Sequence, residues 1–338
     1  MPVTMKDVAK KANLSLGTVS NYINGKASVK QANKEKIEQA IEALGYQVNE
    51  LARFLKTKNS MTIGVIIPTF ANVFAVRTIS HLENIFREND YSLQVCSYNN
   101  LETLEESIKT MMGKRVDGLI IMPGSVIGET EIADINSLIN KQTPVIIFDS
   151  TNEGIKCDHV VLDNYEAIKN LTNRLFELGH KNIAFLLGPD DISSSAERLK
   201  GFKDAHKENG VEIKDDLIVH TDYTKGMSRD TCKELIGDDN KITAVLAAGY
   251  RITLGILSAF KEMELNVPDD ISVVGFDVLD ISDVLPYGLT GVHIPTTKVA
   301  KEISEIMLKR IINGFDDFPK KSGVEIEYIE GNSVKDIK

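Results

Sequence analysis

From Thr62 onward, short apolar runs rich in isoleucine and valine recur with stretches of helical length between them, and this alternation limits the fold more than any other feature. The runs are Ile63–Ile67, Leu93–Cys96, Leu119–Met122, Val145–Phe148, Val160–Leu162, Ile183–Leu187, Ala244–Ala247, Ile271–Phe276 and Val292–Ile294. A strand that is apolar on both faces has to be covered on both, and helical crossovers are what parallel pairing requires. Nine strands over about 275 residues suit two sheets better than one, which predicts two α/β lobes with a cleft between them. Ligands in open α/β sheets sit beyond the C-terminal strand ends, where Pro68-Thr69, Asp149 and Asp277 fall.

At 338 residues and 42% hydrophobic composition, the chain is too long for one ordinary core. No run of eighteen apolar residues occurs, and Met1–Ala12 lacks the basic-then-apolar layout of a secretory signal, so a cytoplasmic protein without a membrane partner is expected. Cys96, Cys157 and Cys232 are far apart and in no metal-ligand spacing; they read as buried, reduced thiols. The net charge of −10 hides an asymmetry. Residues 1–60 carry ten Lys/Arg against five Asp/Glu, a surplus of +5 that leaves −15 for the rest. A small basic head on a large acidic body is what phosphate binding by one end needs, although a local excess of lysine is the bland alternative.

The head reads as three short helices. Thr4 with Asp7 three residues on makes a capping box, and Val8, Ala9 and Ala12 give the first apolar face. Asn13 makes the turn, Ser15 caps a second helix with Val19 and Ile23 facing inward, and Asn24-Gly25 ends it. A third helix from about Gln31 places Ile37, Ala40, Ile41 and Leu44 on one face and stops at Gly45. Residues 49–56 form a short helix-compatible stretch capped by Asn49, followed by a polar linker at 57–60, a hinge in outline. In a helix-turn-helix the second helix enters the major groove. Here Leu16, Gly17, Thr18, Asn21 and Tyr22 are its expected exposed positions. Asparagine can pair with adenine in two hydrogen bonds, and leucine can touch a thymine methyl. A three-helix structural domain without DNA affinity fits the same periodicity.

The string from Thr4 to Ser15 (TMKDVAKKANLS), followed by Thr18 to Gly25 (TVSNYING), resembles the head of the lactose/galactose repressor family. Further matches run in order through the chain: Gly45-Tyr46, Asn49, Ala52-Arg53, Leu55, Ile63-Gly64-Val65, Val116 to Ile120, Asp163-Asn164, Gly179-His180, Arg198, Gly201-Phe202 and Val274 to Asp277. The layout is closest to repressors such as catabolite control protein A and the ribose and purine repressors. The resemblance implies an all-α helix-turn-helix domain at 1–48, a hinge helix and linker at 49–61, and a two-lobed, periplasmic-binding-protein-like α/β core at 62–338. Within that core one lobe is expected at about 62–160 and 292–322, the other at about 161–291 and 323–338. It further implies a homodimer on near-palindromic operator DNA, whose hinge folds on that DNA and levers Leu55 into the minor groove. The implied DNA-binding residues are Thr4, Ser15, Leu16, Gly17, Thr18, Ser20, Asn21, Asn24, Lys34, Asn49, Ala52, Arg53, Leu55 and Lys56. Asn21 stands where the family most often has arginine.

Carried over in the same way, the effector-binding residues are Phe74, Asp149, Ser194, Arg198, Tyr223, Gly249, Tyr250 and Asp277. An arginine fork with a carboxylate suits a sugar, and the aromatic rings suit a sugar face or a base. Alternatives at these positions are an ion pair between Arg198 and Asp277 and plain packing for Phe74 and Tyr223. Two departures stand out: Gly249-Tyr250 where the family has Asn-Asp or Thr-Asp, and Val278 where it has a second aspartate. A modified sugar, a nucleoside-like effector and control without any ligand remain open, and a protein corepressor is a second mode of control. A transporter's solute-binding protein would share the two-lobed body but not the basic head. An enzyme is disfavoured, because no P-loop, Gly-x-Gly-x-x-Gly or Gly-x-Ser-x-Gly occurs and the six histidines form no metal or triad pattern. His180 reads as structural. No metal and no cofactor is expected.

Overall fold

The computed structural model describes residues 3–23, 29–46, 59–124, 127–152, 154–237 and 241–338. At the start of α1 (Met5–Ala12), the Asp7 carboxylate accepts the Thr4 backbone N–H at 2.9 Å and its hydroxyl at 2.7 Å. The carboxylate thereby satisfies a donor next to the positive end of the helix. Asn13, at φ 53°, ends the helix in the left-handed conformation. Ser15 Oγ then accepts the Thr18 N–H at 3.1 Å and caps α2 (Leu16–Ile23). α3 (Gln31–Leu44) stops at Gly45, φ 59°. Val8, Ala12, Val19, Ile37 and Ala40 close the small core. This head belongs to one compact unit, Met1–Ser60, and the remainder forms a second, Met61–Lys338. Residues 49–58 of the expected hinge lie outside the described residues.

The second unit contains two six-stranded sheets. The first is built from β1 (Thr62–Ile67), β2 (Ser92–Ser97), β3 (Gly118–Ile121), β4 (Val145–Phe148), β5 (Asp158–Leu162) and β11 (Lys321–Val324), ordered β11-β5-β4-β3-β1-β2. The second contains β6 (Ile183–Leu187), β7 (Ile218–His220), β8 (Ala244–Ala247), β9 (Ser272–Phe276), β10 (Thr290–His293) and β12 (Glu327–Ile329), ordered β12-β10-β9-β8-β6-β7. All pairings are parallel except β12 against β10. Helices cover both faces: α4 (Val73–Glu88), α5 (Leu101–Lys114), α6 (Glu129–Asn140) and α12 (Thr296–Asn313) in the first lobe. The second lobe has α7 (Asn164–Glu177), α8 (Ser193–Asn209), α9 (Lys225–Gly237), α10 (Tyr250–Glu262) and α11 (Leu279–Val284).

Strand alternation explains the layering. Ile63, Val65 and Ile67 pack with Leu82 and Phe86 of α4 and with Ile303 and Met307 of α12. Ile66, Leu119, Ile121 and Ile147 pack the other way, with Leu104, Ile108 and Met111 of α5 and Ile135 of α6. Each fully buried side chain of this kind contributes about 1.5–3 kcal/mol. A buried ion pair fixes α12 to the start of β5: Arg310 Nε and Nη2 donate to Asp158 Oδ2 and Oδ1 at 2.8 and 2.9 Å. Asp158 Oδ1 also accepts the Lys320 N–H at 2.7 Å.

The lobe boundaries differ from those expected. Val292 and His293 belong to β10, which pairs with β9 in the second lobe, and the chain crosses only afterwards at Ile294-Pro295. β11 returns to β5 through Val324, so the last crossing lies at 325–326 rather than at 322–323. An apolar run carries no mark of which sheet it joins, and that choice is made by tertiary pairing. Three strands, β7, β11 and β12, were not expected at all. They are short outer strands that lack the continuous apolar pattern of the interior ones.

Candidate nucleic-acid interface and ligand cavity

In the head, Thr4, Ser15, Leu16 and Gly17 are exposed, while Thr18, Ser20, Asn21 and Lys34 are half-buried. Leu16 shows 43% of its surface, an unusual cost for leucine on a helix that already buries Val19. Ser15 Oγ and Thr18 Oγ1 lie 2.8 Å apart, so the start of α2 carries two linked hydroxyls. Tyr22, expected to be exposed, is half-buried against the head core, and its hydroxyl donates to Glu38 Oε1 at 2.6 Å. It braces α2 on α3, a long-range contact that helical periodicity does not reveal. Asn24, Asn49, Ala52, Arg53, Leu55 and Lys56 lie outside the described residues.

In the second unit, a cavity of about 370 Å³ opens between the lobes beyond the C-terminal strand ends, and Phe74, Asp149, Ser194, Arg198, Tyr223, Gly249, Tyr250 and Asp277 all line it. Asp149 follows β4 with φ 70°, Asp277 follows β9 with φ 59°, and Tyr223 has φ 59°. Aspartate tolerates this left-handed region; for tyrosine it is strained, and such strain gathers at functional sites. The Asp149 N–H donates to Val160 O at 3.0 Å, so the β4–β5 register sets the position of the carboxylate. Phe74 sits in the first turn of α4, which Asn72 caps by accepting the Ala75 N–H, and its ring centroid is 6.0 Å from that of Phe148.

Arg198 and Asp277 both face this cavity but form no ion pair with each other among the described residues. Arg198 Nε donates to Asn164 Oδ1 at 2.9 Å and Nη1 to Ala248 O at 2.7 Å, with the guanidinium 4.0 Å from the Phe276 ring centroid. Nη2 has no acceptor among the described residues. Asp277 is 2% exposed; its Oδ1 accepts the Ile294 N–H at 3.3 Å, whereas its Oδ2 is buried without a partner. The Asp149 Oδ1 is likewise buried and unpartnered. Burial pushes the Asp149 carboxyl above its ordinary range, with the charge of Arg198 opposing and that of Glu197 reinforcing. His293 Nδ1 lies 3.3 Å from Asp277 Oδ1, outside hydrogen-bonding geometry.

The departures at Gly249 and Val278 have different meanings. Tyr223 lies across Gly188 and Gly249, and its hydroxyl is 2.9 Å from Ser195 Oγ. A Cβ at Gly188 would overlap that ring, and one at Gly249 would reach it at 3.3 Å. Gly249 is therefore the seat of the Tyr223 ring as well as a missing polar anchor. Val278 turns away into the core of the second lobe, against Gly275 and Gly291, and removes nothing from the cavity. Asn164, Ser195 and Phe276 were not expected among the site residues, although Asn164 and Phe276 lie inside matched strings.

Elsewhere, His180 Nδ1 is 2.9 Å from Thr243 Oγ1 and Nε2 is 2.9 Å from Lys335 O, a buried structural bridge whose burial lowers its pKa. Cys157 and Cys232 are buried, their thiols pushed up to about 12, while Cys96 is half-buried. Among the described residues no group of three or more His, Cys, Asp or Glu is placed to hold a metal ion, and no helix is long and apolar enough to cross a membrane.

A helix-turn-helix head followed by a two-lobed α/β body with an interlobe cavity is the layout of a transcriptional regulator. Residues 4–49 match the profile of bacterial regulatory proteins of the lacI family, and residues 172–334 match that of the periplasmic binding protein-like domain. Catabolite control protein A of Priestia megaterium is 32% identical over 311 residues, 91% of this chain and 92% of that one. The HTH-type transcriptional repressor PurR of Vibrio atlanticus (strain LGP32) is 30% identical over 336 residues, 99% of each. The lac repressor dimer bound to operator and the anti-inducer ONPF has the same fold, with a TM-score of 0.88 at 23% identity, covering 99% of this chain and 100% of that one. The chain belongs to the lacI family of bacterial regulatory proteins, whose members here are transcriptional repressors and not enzymes.

Proposed function

We propose that this repressor binds a near-palindromic operator as a homodimer and that a small polar ligand, a sugar or related metabolite, sets its operator affinity from the interlobe cavity. The observation that carries the ligand reading is the pair of buried, unpartnered carboxylate oxygens on Asp149 and Asp277, one from each lobe. A buried acceptor left unsatisfied costs about 1–3 kcal/mol, and a ligand hydroxyl removes that cost. Tyr223 and Phe74 offer faces to a ring, and Arg198 Nη2 offers a donor. Thermal-shift screening of the intact chain against sugars, sugar phosphates and nucleosides tests the reading; no shift with any of them refutes it.

The DNA reading rests on the exposed Ser15-Leu16-Gly17 start of α2 and the basic head. Leu55→Ala is expected to weaken operator binding far more than binding to random DNA, because the leucine acts on a deformed base step and not on phosphate. Equal losses on both DNAs refute that role. The dimer reading is supported by exposed apolar residues flanking one interlobe ion pair, Arg77 of α4 with Asp280 of α11. Val76 is 40% exposed and Val284 79%, with Phe70 at 58% just ahead of α4. Sedimentation of a Val284→Glu variant as monomer, against a wild-type dimer, checks it.

A further inference from the structure

The three serines that open α8 serve three different places. Ser194 lines the interlobe cavity, and Ser195 Oγ is 2.9 Å from the Tyr223 hydroxyl. Ser193 reaches across to the first lobe. Its Oγ lies 2.6 Å from Ser150 Oγ and accepts the Thr151 N–H at 2.9 Å. Ser150 is 4% exposed and directly follows the cavity residue Asp149, just as Ser193 directly precedes the cavity residue Ser194. The interlobe ion pair of Arg77 with Asp280 is the more exposed contact, and solvent screens it.

From this arrangement we infer that Ser193, Ser150 and the Thr151 N–H form a latch between the lobes, which raises the closed share of the protein before any ligand arrives. The latch stands by itself; its regulatory meaning rests on the ligand reading proposed above. Both bonds hang on one oxygen, Ser193 Oγ, so they break together when the lobes part. Each net hydrogen bond multiplies the closed-to-open ratio by roughly two- to tenfold. The latch thereby sets the starting balance on which a ligand acts. For a ligand that fits the closed cavity, apparent affinity scales with the fraction of protein already closed, so a stronger latch gives tighter binding without touching the ligand.

Hydrogen exchange of the Thr151 amide in the intact, ligand-free chain tests the latch, because among the described residues this N–H finds its acceptor only across the lobe boundary. Protection of at least about fivefold over the unfolded-chain rate is expected. Ser150→Ala removes the hydroxyl pair but leaves Ser193 Oγ to accept the amide. It is expected to lower Thr151 protection roughly two- to tenfold, with the melting temperature close to wild type. Ser193→Thr keeps the hydroxyl and is expected to keep the protection, whereas Ser193→Ala is expected to abolish it. Arg77→Ala, at the other interlobe contact, is expected to lower it less than Ser150→Ala does. An unprotected Thr151 amide in the wild-type chain overturns the latch with no variant needed. Unchanged protection in Ser150→Ala, or a larger loss in Arg77→Ala, overturns it as well. None of these measurements contains a ligand, so the ligand reading stands or falls separately, by the thermal-shift screen.

Discussion

Replacing Asp149 by asparagine is expected to make the ligand-free protein more stable at neutral pH. The Asp149 Oδ1 is buried without a partner, and burial holds the carboxyl above its ordinary value despite the charge of Arg198. In the unfolded chain an aspartate titrates near 3.9. Between that value and the raised folded one, the native state keeps a proton that the unfolded state has released, so stability falls as pH rises through the folded pKa and stays low above it. Asparagine has nearly the same shape and no charge, which removes the pH-dependent cost. Asparagine still leaves a polar atom unpartnered there, so only the charge-dependent part of the cost is removed, on the order of 1 kcal/mol at pH 7 and near zero at pH 4. At roughly 2–4 °C per kcal/mol, the melting temperature rises by a few degrees. The chain has no tryptophan, so scanning calorimetry from pH 4 to pH 7 is the direct assay. A variant less stable than wild type at pH 7, or a difference that does not change with pH, refutes the reasoning.

Gly188→Ala is expected to cost about 1–3 kcal/mol in urea denaturation, because its methyl overlaps the Tyr223 ring; Tyr223→Ala in the same chain should recover most of the loss. Arg310→Met leaves Asp158 buried with only the Lys320 N–H, and should destabilise the second unit by about 3–5 kcal/mol in the same assay. Ser15→Ala removes the N-cap of α2, worth about 1 kcal/mol, and should speed amide exchange in α2 of the intact chain roughly fivefold.

Much of this architecture is legible in the sequence because it depends on local or strongly periodic signals. Continuous runs such as Ile63–Ile67 declare interior parallel strands, Thr4 with Asp7 declares a helix start, and Gly45 a helix end. The cavity residues come from the family resemblance, with Arg198 and Asp277 inside matched strings and Gly249-Tyr250 departing from the family, and all eight line one cavity. What stays hidden depends on partners distant in the chain. Nothing near Tyr22 announces Glu38, and nothing near Gly249 announces that Tyr223 lies over it. Val278 follows the cavity-facing Asp277, but the room left by Gly275 and Gly291 sends its side chain into the core. Arg198 and Asp277 look like partners in the sequence because their charges match. In space, Asn164 and the Ala248 carbonyl have already claimed two of the guanidinium nitrogens.

The proposed switch can be weighed from the same contacts. A ligand moves a two-state equilibrium only by its difference in affinity for the two states. One that touches a single lobe binds open and closed forms alike and changes nothing. Asp149 belongs to the first lobe, and Asp277 and Arg198 to the second, so a ligand bonded to all of them binds the closed form better by the contacts that opening breaks. At about 1–1.5 kcal/mol per net hydrogen bond, two such contacts shift the lobe equilibrium on the order of 30- to 150-fold, within the usual range of allosteric coupling. The interlobe ion pair of Arg77 with Asp280 is 25% and 56% exposed on its two sides, and exposed pairs are worth about 0–1 kcal/mol. It therefore trims the equilibrium, and most of the shift comes from the ligand. Both partners lie one turn beyond cavity residues, Arg77 after Phe74 and Asp280 after Asp277, so a ligand that shifts either backbone also moves the pair.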